Sequence, residues 1–275
     1  MITLNYNLLK EIKTNLSRVL SKDSVAMMQN VYCAILSKGF QLRACNGKEM
    51  LSYASNEGGG EPVSFLMSPE TIKRIFAGMK RGSSVLLIPD DEELKVTYLG
   101  YAEMTLSFPL LSAKDFPKYS LFEGESVVAE FDKFIKQYRH AQSMASQDPS
   151  RPALNSVLFD SDTDKIVATD GRRVFSTDSE LCLEQDILFP ITKTLKSSKI
   201  FKGEDELRVN DEYIEITCRD WLYQAQQVEG NYPNWKAVGV TNYNHTVDFA
   251  KADTNAIVEL VTQPRSPTKA PPTAL

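Results

Sequence analysis

Residues 143–173 contain, in order, Ser143-Met144-Ala145, Gln147-Asp148, Arg151-Pro152-Ala153-Leu154-Asn155-Ser156-Val157-Leu158-Phe159 and Ala168-Thr169-Asp170-Gly171-Arg172-Arg173. The second half of this stretch has an upstream counterpart. Val31 to Gly47 (VYCAILSKGFQLRACNG) aligns without a gap on Asn155 to Gly171 (NSVLFDSDTDKIVATDG) at an offset of 124. Apolar Cys33, Ala34 and Ile35 fall on Val157, Leu158 and Phe159, and Leu42 falls on Ile166. Asn46-Gly47 falls on Asp170-Gly171, and each pair can supply the positive-φ residues of a tight hairpin turn. Farther on, Phe116-Pro117-Lys118-Tyr119 matches Tyr232-Pro233-Asn234-Trp235, an aromatic–Pro–x–aromatic stretch that closes each repeat. Internal repetition therefore organises the chain.

Each repeat opens on an amphipathic helix. Leu8, Leu9, Ile12, Leu16, Val19 and Leu20 stand at helical spacing in the first, and Phe131, Phe134, Ile135, Tyr138 and Ala141 in the second. A strand–turn–strand block follows, then a second helix. In the first repeat Ser68-Pro69-Glu70 opens it, with Ile72, Ile75, Phe76 and Met79 on one face. Its weaker counterpart is expected to open at Pro190, with Ile191 and Leu195. Hairpins end each repeat: Val85–Ile88 with Leu94–Leu99, and Leu207–Val209 with Tyr213–Cys218. Two helices packed on antiparallel strands, repeated, define an α+β chain of duplicated domains.

At 275 residues the chain suits two such domains, each with its own core. The expected boundaries are 1–122 and 123–240, with 241–275 as the start of a third repeat or a tail. Thr246-Val247-Asp248-Phe249 and the stretch to Val261 resemble the opening strand and helix, and Thr273-Ala274-Leu275 echoes Pro152-Ala153-Leu154. No apolar run has the length of a membrane span, and the N-terminus shows no basic segment followed by an apolar one. Cys33, Cys45, Cys182 and Cys218 lie far apart with no Cys-x-x-Cys pair, which argues against disulfides or a zinc site, and Cys33 and Cys218, in strand-like stretches, are expected to be buried thiols. The expected location is cytoplasmic.

The order and spacing of the 143–173 motifs closely resemble the middle domain of the bacterial sliding clamp, the beta subunit of DNA polymerase III. That family shows SMA-x-QD in a loop after a helix, a Leu-Asn-x-x-Leu-Phe strand, and ATDG followed by basic residues. The resemblance implies duplicated clamp domains that form part of a ring around duplex DNA. Such a ring is a processivity factor: it tethers the replicative polymerase and has no catalytic site or cofactor of its own. It also implies a separate ATP-using loader and a docking motif shared by polymerase and loader. Family rings contain six repeats, so three-domain chains close as dimers and two-domain chains need trimers.

Charge supports a DNA partner despite a net charge of −5. Residues 5–21 carry net +2, 69–81 net +3, 130–144 net +1 and 190–202 net +4, leaving −15 for the remainder. What binds DNA is the local field, not the total. Lysine-rich surface helices also serve solubility, but four of four against an acidic background favour phosphate contact. The candidate DNA-binding residues are Lys10, Lys13, Arg18, Lys73, Arg74, Lys80, Lys133, Lys136, Arg139, Lys193, Lys196 and Lys199. The resemblance adds Gln147 and Arg151, in the family's duplex-contacting loop, where this chain inserts one residue at Pro149-Ser150. Binding of this kind reads no bases and weakens steeply with salt.

The resemblance also implies a partner-peptide cleft at Leu154, Thr169, Gly171, Arg172, Arg173, Val174, Pro233 and Val238. Arg172 replaces the family's usual histidine and Ala237 a common arginine. Read without the family, Leu154 and Val174 are core residues and Asp170-Gly171 is only a turn. An alternative function is a clamp-derived interaction module that binds replication proteins without encircling DNA. Catalysis finds no support: His140 and His245 stand near no nucleophile or metal cluster, Asp90 to Glu93 reads as a solvated turn, and Gly58-Gly59-Gly60 lacks phosphate-loop context.

Overall fold

The computed structural model describes residues 1–90, 92–100, 104–118, 122–123, 125–127, 131–179, 181, 183–201 and 205–238. Met1–Pro233 form one compact unit, and Asn234–Leu275 a second, described only through the 3-10 turn Trp235–Val238. The expected third-repeat segment and Cys182 lie outside the described residues.

Four helices form where the apolar spacing places them: α1 (Tyr6–Val19), α2 (Pro69–Ala77), α3 (Phe131–Gln142) and α4 (Lys193–Ser197). Asn5 caps α1 by accepting from the Leu8 amide at 2.9 Å, and Ser68 caps α2 by accepting from Thr71 at 3.0 Å, with Pro69 in the first turn. The fourth helix departs from expectation. Pro190 ends the strand Ile187–Pro190 instead of opening the helix, and Thr192 caps it by accepting from the Leu195 amide. The helix starts three residues after the proline and runs for five residues, capped by Ser198, whose amide donates to the Thr194 carbonyl.

All strand pairs are antiparallel, in three sheets among the described residues. One runs Ile2–Asn5, Ser84–Pro89, Glu93–Leu99, Met104–Pro109, and another Val174–Asp178, Lys165–Thr169, Ser156–Asp160, Ile187–Pro190. The third has nine strands: Glu125–Val127, Glu206–Val209, Tyr213–Cys218, Trp221–Gln226, Glu49–Ser55, Phe40–Cys45, Val31–Ile35, Val63–Met67 and Leu111–Ser112. Its centre joins the two repeats, because Trp221–Gln226 pairs with Glu49–Ser55 in the register Trp221↔Tyr53, Tyr223↔Leu51. Alternation then sends Tyr53, Leu51, Trp221 and Tyr223 to the same buried face.

The hairpins at Asn46-Gly47 and Asp170-Gly171 form, but only the glycines have positive φ, +89° and +85°. Asn46 and Asp170 act through their side chains. Asn46 Oδ1 accepts from the Lys48 and Glu49 amides, and Asp170 Oδ1 from those of Arg172 and Arg173. The two turns are built alike. Cys33 and Cys218 are buried free thiols in strands, as expected.

The helices lie side by side in the order α2, α1, α4, α3, so α1 of the first repeat meets α4 of the second. Apolar residues from both halves merge into one core that includes Leu51, Tyr223, Phe134, Tyr138, Phe159 and Phe189. No described helix is long and apolar enough to cross a membrane. Leu51 is fully buried where the repeats meet. Leu51→Ala is therefore expected to lower unfolding free energy by about 2–5 kcal/mol, read from denaturant titration.

Candidate nucleic-acid interface

The helix layer brings together cations from segments far apart in sequence. Lys10 on α1, Lys73 and Arg74 on α2, Lys133 and Lys136 on α3, and Lys193 and Lys196 on α4 are exposed, as are Lys80 and Lys199 just past α2 and α4. Their surroundings differ. Lys73 lies 3.7 Å from Glu70, an exposed pair of little energetic weight. Lys13 is half-buried with its ammonium 4.1 Å above the Phe76 ring, and the Arg74 guanidinium stands 5.5 Å from the Phe108 ring centre.

Two candidate cations hold the helices together instead of pointing outward. Arg18 Nε donates to Ser197 Oγ at 3.0 Å, and its Nη1 to Asn15 Oδ1 and the Thr14 carbonyl. Arg139 Nε donates to the Leu195 carbonyl at 3.1 Å and its Nη2 to that of Ser198 at 2.6 Å. Both guanidiniums thus sit at the C-terminal end of α4, where unpaired carbonyls favour a cation. Burial pulls both below the usual arginine pKa. Ser198 Oγ, bonded to Asn15 Oδ1 at 3.0 Å, completes the junction.

The loop after α3 is exposed at Gln147 and Arg151, the latter 3.7 Å from Asp148. Its other end reaches the Asp170 turn, since a Cβ on Gly171 would lie 3.8 Å from Arg151 Nη1. Within that turn Thr169 Oγ1 donates to the Arg173 carbonyl at 2.7 Å and accepts from the Gly171 amide at 3.0 Å. Arg173 pairs with Asp170 at 3.1 Å, while Arg172 and Val174 are exposed. Leu154 is half-buried and Val174 is 43% exposed, so neither is a core residue. A Cβ on Gly230 would meet Ala153 at 3.7 Å, which carries the chain past Leu154 toward Tyr232 and exposed Pro233. Val238 belongs to the second unit.

Two residues escaped sequence reasoning. Tyr232 was legible only as part of an aromatic–proline motif; it packs by Thr169, and burial pushes its hydroxyl up to about 12. Glu49 is a buried carboxylate where the repeats meet. It accepts from Tyr223 Oη at 3.0 Å and Asn46 Nδ2 at 3.3 Å, and Tyr223 Oη also bonds Thr192 Oγ1. Burial raises the Glu49 pKa, opposed by these hydrogen bonds. Glu49 lines a 1140 Å³ cleft between the repeats together with Arg18, Lys22 and Lys193. No signal in the sequence marks it, since an acid after a hairpin glycine is normally solvated. Among the described residues no group of three or more metal-ligating side chains gathers.

Paired α/β repeats joined through one sheet, with the helices in one layer, are a fold of the sliding-clamp type. The chain is a relative of the bacterial beta sliding clamps in sequence and shares their fold. It is 24% identical over 250 residues to the beta sliding clamp of Buchnera aphidicola subsp. Rhopalosiphum padi, covering 86% of this chain and 67% of that protein. The beta sliding clamp of Proteus mirabilis is 26% identical over 184 residues, 63% of this chain and 49% of that one. The crystal structure of the Helicobacter pylori beta clamp bound to a DNA ligase peptide superposes with a TM-score of 0.76 at 16% identity, over 88% of this chain and 70% of that one. No family model matches the chain.

The Asp170 carboxyl is held below its ordinary value of 3.8 by the Arg172 and Arg173 amides and by the Arg173 charge. A depressed carboxylate contributes stability that is present above the unfolded-state pKa and is lost as pH falls through the folded one. Asp170→Asn keeps an acceptor oxygen but removes the charge. It is expected to lower the denaturation midpoint at pH 7, with the difference from the native protein vanishing as pH falls below 3.8 and through the folded pKa.

Proposed function

We propose that the chain is a sliding clamp that encircles duplex DNA and tethers a replicative polymerase. The observation that carries this reading is the layer of four helices bearing exposed lysines from both repeats, in a chain whose other segments sum to −15. Facing inward in a ring, such a layer meets phosphates without reading bases, and enclosure prevents dissociation while weak contacts permit sliding. The mechanism is topological and needs no catalytic group, so the chain acts as a processivity factor and not as an enzyme. Lys10, Lys73, Lys80, Lys133, Lys136, Lys193, Lys196 and Lys199 are the phosphate contacts, with Gln147 and Arg151 in the adjoining loop. Arg18 and Arg139 position α4 and its lysines.

Residues 1–122 and 123–240 serve as two clamp domains, with 241–275 leading onward. Copies associate head to tail into a ring of six repeats. The surface at Leu154, Thr169, Gly171, Arg172, Arg173, Val174 and Pro233 takes a short motif from polymerase and loader in the cytoplasm. The peptide-bound Helicobacter pylori clamp supports docking of this kind.

Changing Lys193, Lys196 and Lys199 together to Glu tests the reading. For every lysine that touches a phosphate, its removal should flatten the dependence of log K on log salt by about 0.9. Retention on nicked circular DNA should fall while the circular dichroism spectrum stays unchanged. Unaltered retention would count against DNA threading the helix layer.

A further inference from the structure

The nine-stranded sheet carries a pocket on the face turned away from its core side. Met50 and Gln224 stand opposite each other where the repeats pair, and alternation puts them on the other side of the sheet from Leu51 and Tyr223, which lie in the core. Around this pair lies a pocket of about 340 Å³. The first repeat supplies Lys48 and Met50 beside the Asn46 turn, and Pro117, Lys118 and Phe122 from the end of the repeat. The second repeat forms the facing wall with Asn210, Tyr213 and Gln224.

These walls are tied together without a ligand. Arg208 Nη2 donates to the Phe122 carbonyl at 3.1 Å, with its guanidinium 5.4 Å from the Phe122 ring centre. Asn210 Nδ2 donates to the Glu123 carbonyl at 3.2 Å, and its Oδ1 accepts from the Tyr213 amide at 2.8 Å. Met50 and Phe122 are 8% and 6% exposed and give an apolar floor, while Tyr213, at 36%, stands at the rim. Lys48 and Lys118 are exposed, and neither ammonium forms an ion pair among the described residues. Of the two acids nearby, Glu49 accepts from Tyr223 on the core side, and Glu212 is exposed at the rim.

The pocket is also the repeat counterpart of the surface assigned above to partner motifs. At the offset of 124, Gly171, Arg172 and Val174 fall on Gly47, Lys48 and Met50, and the matched aromatic–proline stretches set Pro233 on Pro117. Both turn glycines have positive φ, and an exposed cation follows each. A preformed apolar pocket beside two cations without carboxylate partners complements an apolar side chain flanked by acids. Its volume admits about one or two side chains. A helix, about 10–12 Å across, is too wide, so the segment that fits is extended.

We infer that this pocket between the repeats is a second docking site, taking an extended acidic segment of a partner protein. An apolar side chain sits on Met50 and Phe122, and carboxylates meet Lys48 and Lys118. The site lies across the sheet from the core, so its occupancy leaves the lysines of the helix layer free for DNA. It shares no residue with the surface at Leu154 to Val174, so one chain can hold two segments at once.

The test uses the 275-residue chain and a fluorescein-labelled peptide with phenylalanine between two aspartates, read by anisotropy. Lys48→Glu with Lys118→Glu should weaken binding roughly tenfold or more, and Tyr213→Ser should weaken it as well. These positions are exposed, and circular dichroism checks the fold. Val174→Lys should leave binding unchanged. Tyr213→Cys should react with a maleimide faster than the native cysteines do, and the peptide should slow that reaction. No binding up to about 1 mM overturns the proposal. Equal binding of a peptide with lysines in place of the aspartates does so too, as does an unreactive Tyr213→Cys, which would show the pocket filled by the chain itself. Binding that Val174→Lys abolishes and the pocket variants spare would also overturn it, leaving the other surface as the docking site. Loss of retention on circular DNA would remove encirclement and leave this result standing.

Discussion

The pairing of Trp221–Gln226 with Glu49–Ser55 is the constraint on which the rest of the molecule depends. It turns two sheets into one and fixes the angle at which the repeats meet. Backbone hydrogen bonds alone would leave that ladder open to slippage by two residues. Leu51, Tyr53, Trp221 and Tyr223 remove the freedom, because shifting the register would misalign large buried side chains, including the Tyr53–Trp221 edge contact at 5.1 Å. Burial on one face decides the register, and the register decides where the helices fall.

The helices answer to that junction from the other side. Once α1 and α4 are neighbours, the short α4 presents carbonyls that its five residues cannot satisfy internally. Arg18 and Arg139 approach those carbonyls from opposite repeats. The charge of two guanidiniums thus serves architecture, and the lysines, on flexible and better hydrated stems, remain at the surface. Division of labour between the two kinds of cation follows from geometry. A planar donor fork suits several fixed acceptors, whereas an ammonium suits mobile contacts with phosphate.

Glu49 shows the cost of joining repeats through a sheet. The junction strand begins at the residue that follows the Asn46 turn, so its first side chain points into the interior beside Tyr223 and Thr192. A buried carboxylate is tolerated there because Tyr223 and Asn46 donate to it. The equivalent position after the Asp170 turn is Arg173, at an edge where the charge stays solvated and paired with Asp170.

Local features were legible in the chain itself. The offset of 124 between Val31–Gly47 and Asn155–Gly171, the apolar spacing of α1 to α3 and the two hairpin turns all depend on neighbours a few residues apart. So was the concentration of lysine on the helices, though not which cations stay exposed. The start of α4 is not legible because Pro190 reads equally well as a strand end or a helix start, and only pairing with Ser156 selects between them. Tertiary structure alone decided the roles of Arg18 and Arg139, the burial of Glu49 and the exposure of Val174. Each of these depends on a partner brought from elsewhere in the fold, or lacking at a sheet edge. Periodicity records which face a residue takes, and it holds no information about which distant segment will meet that face.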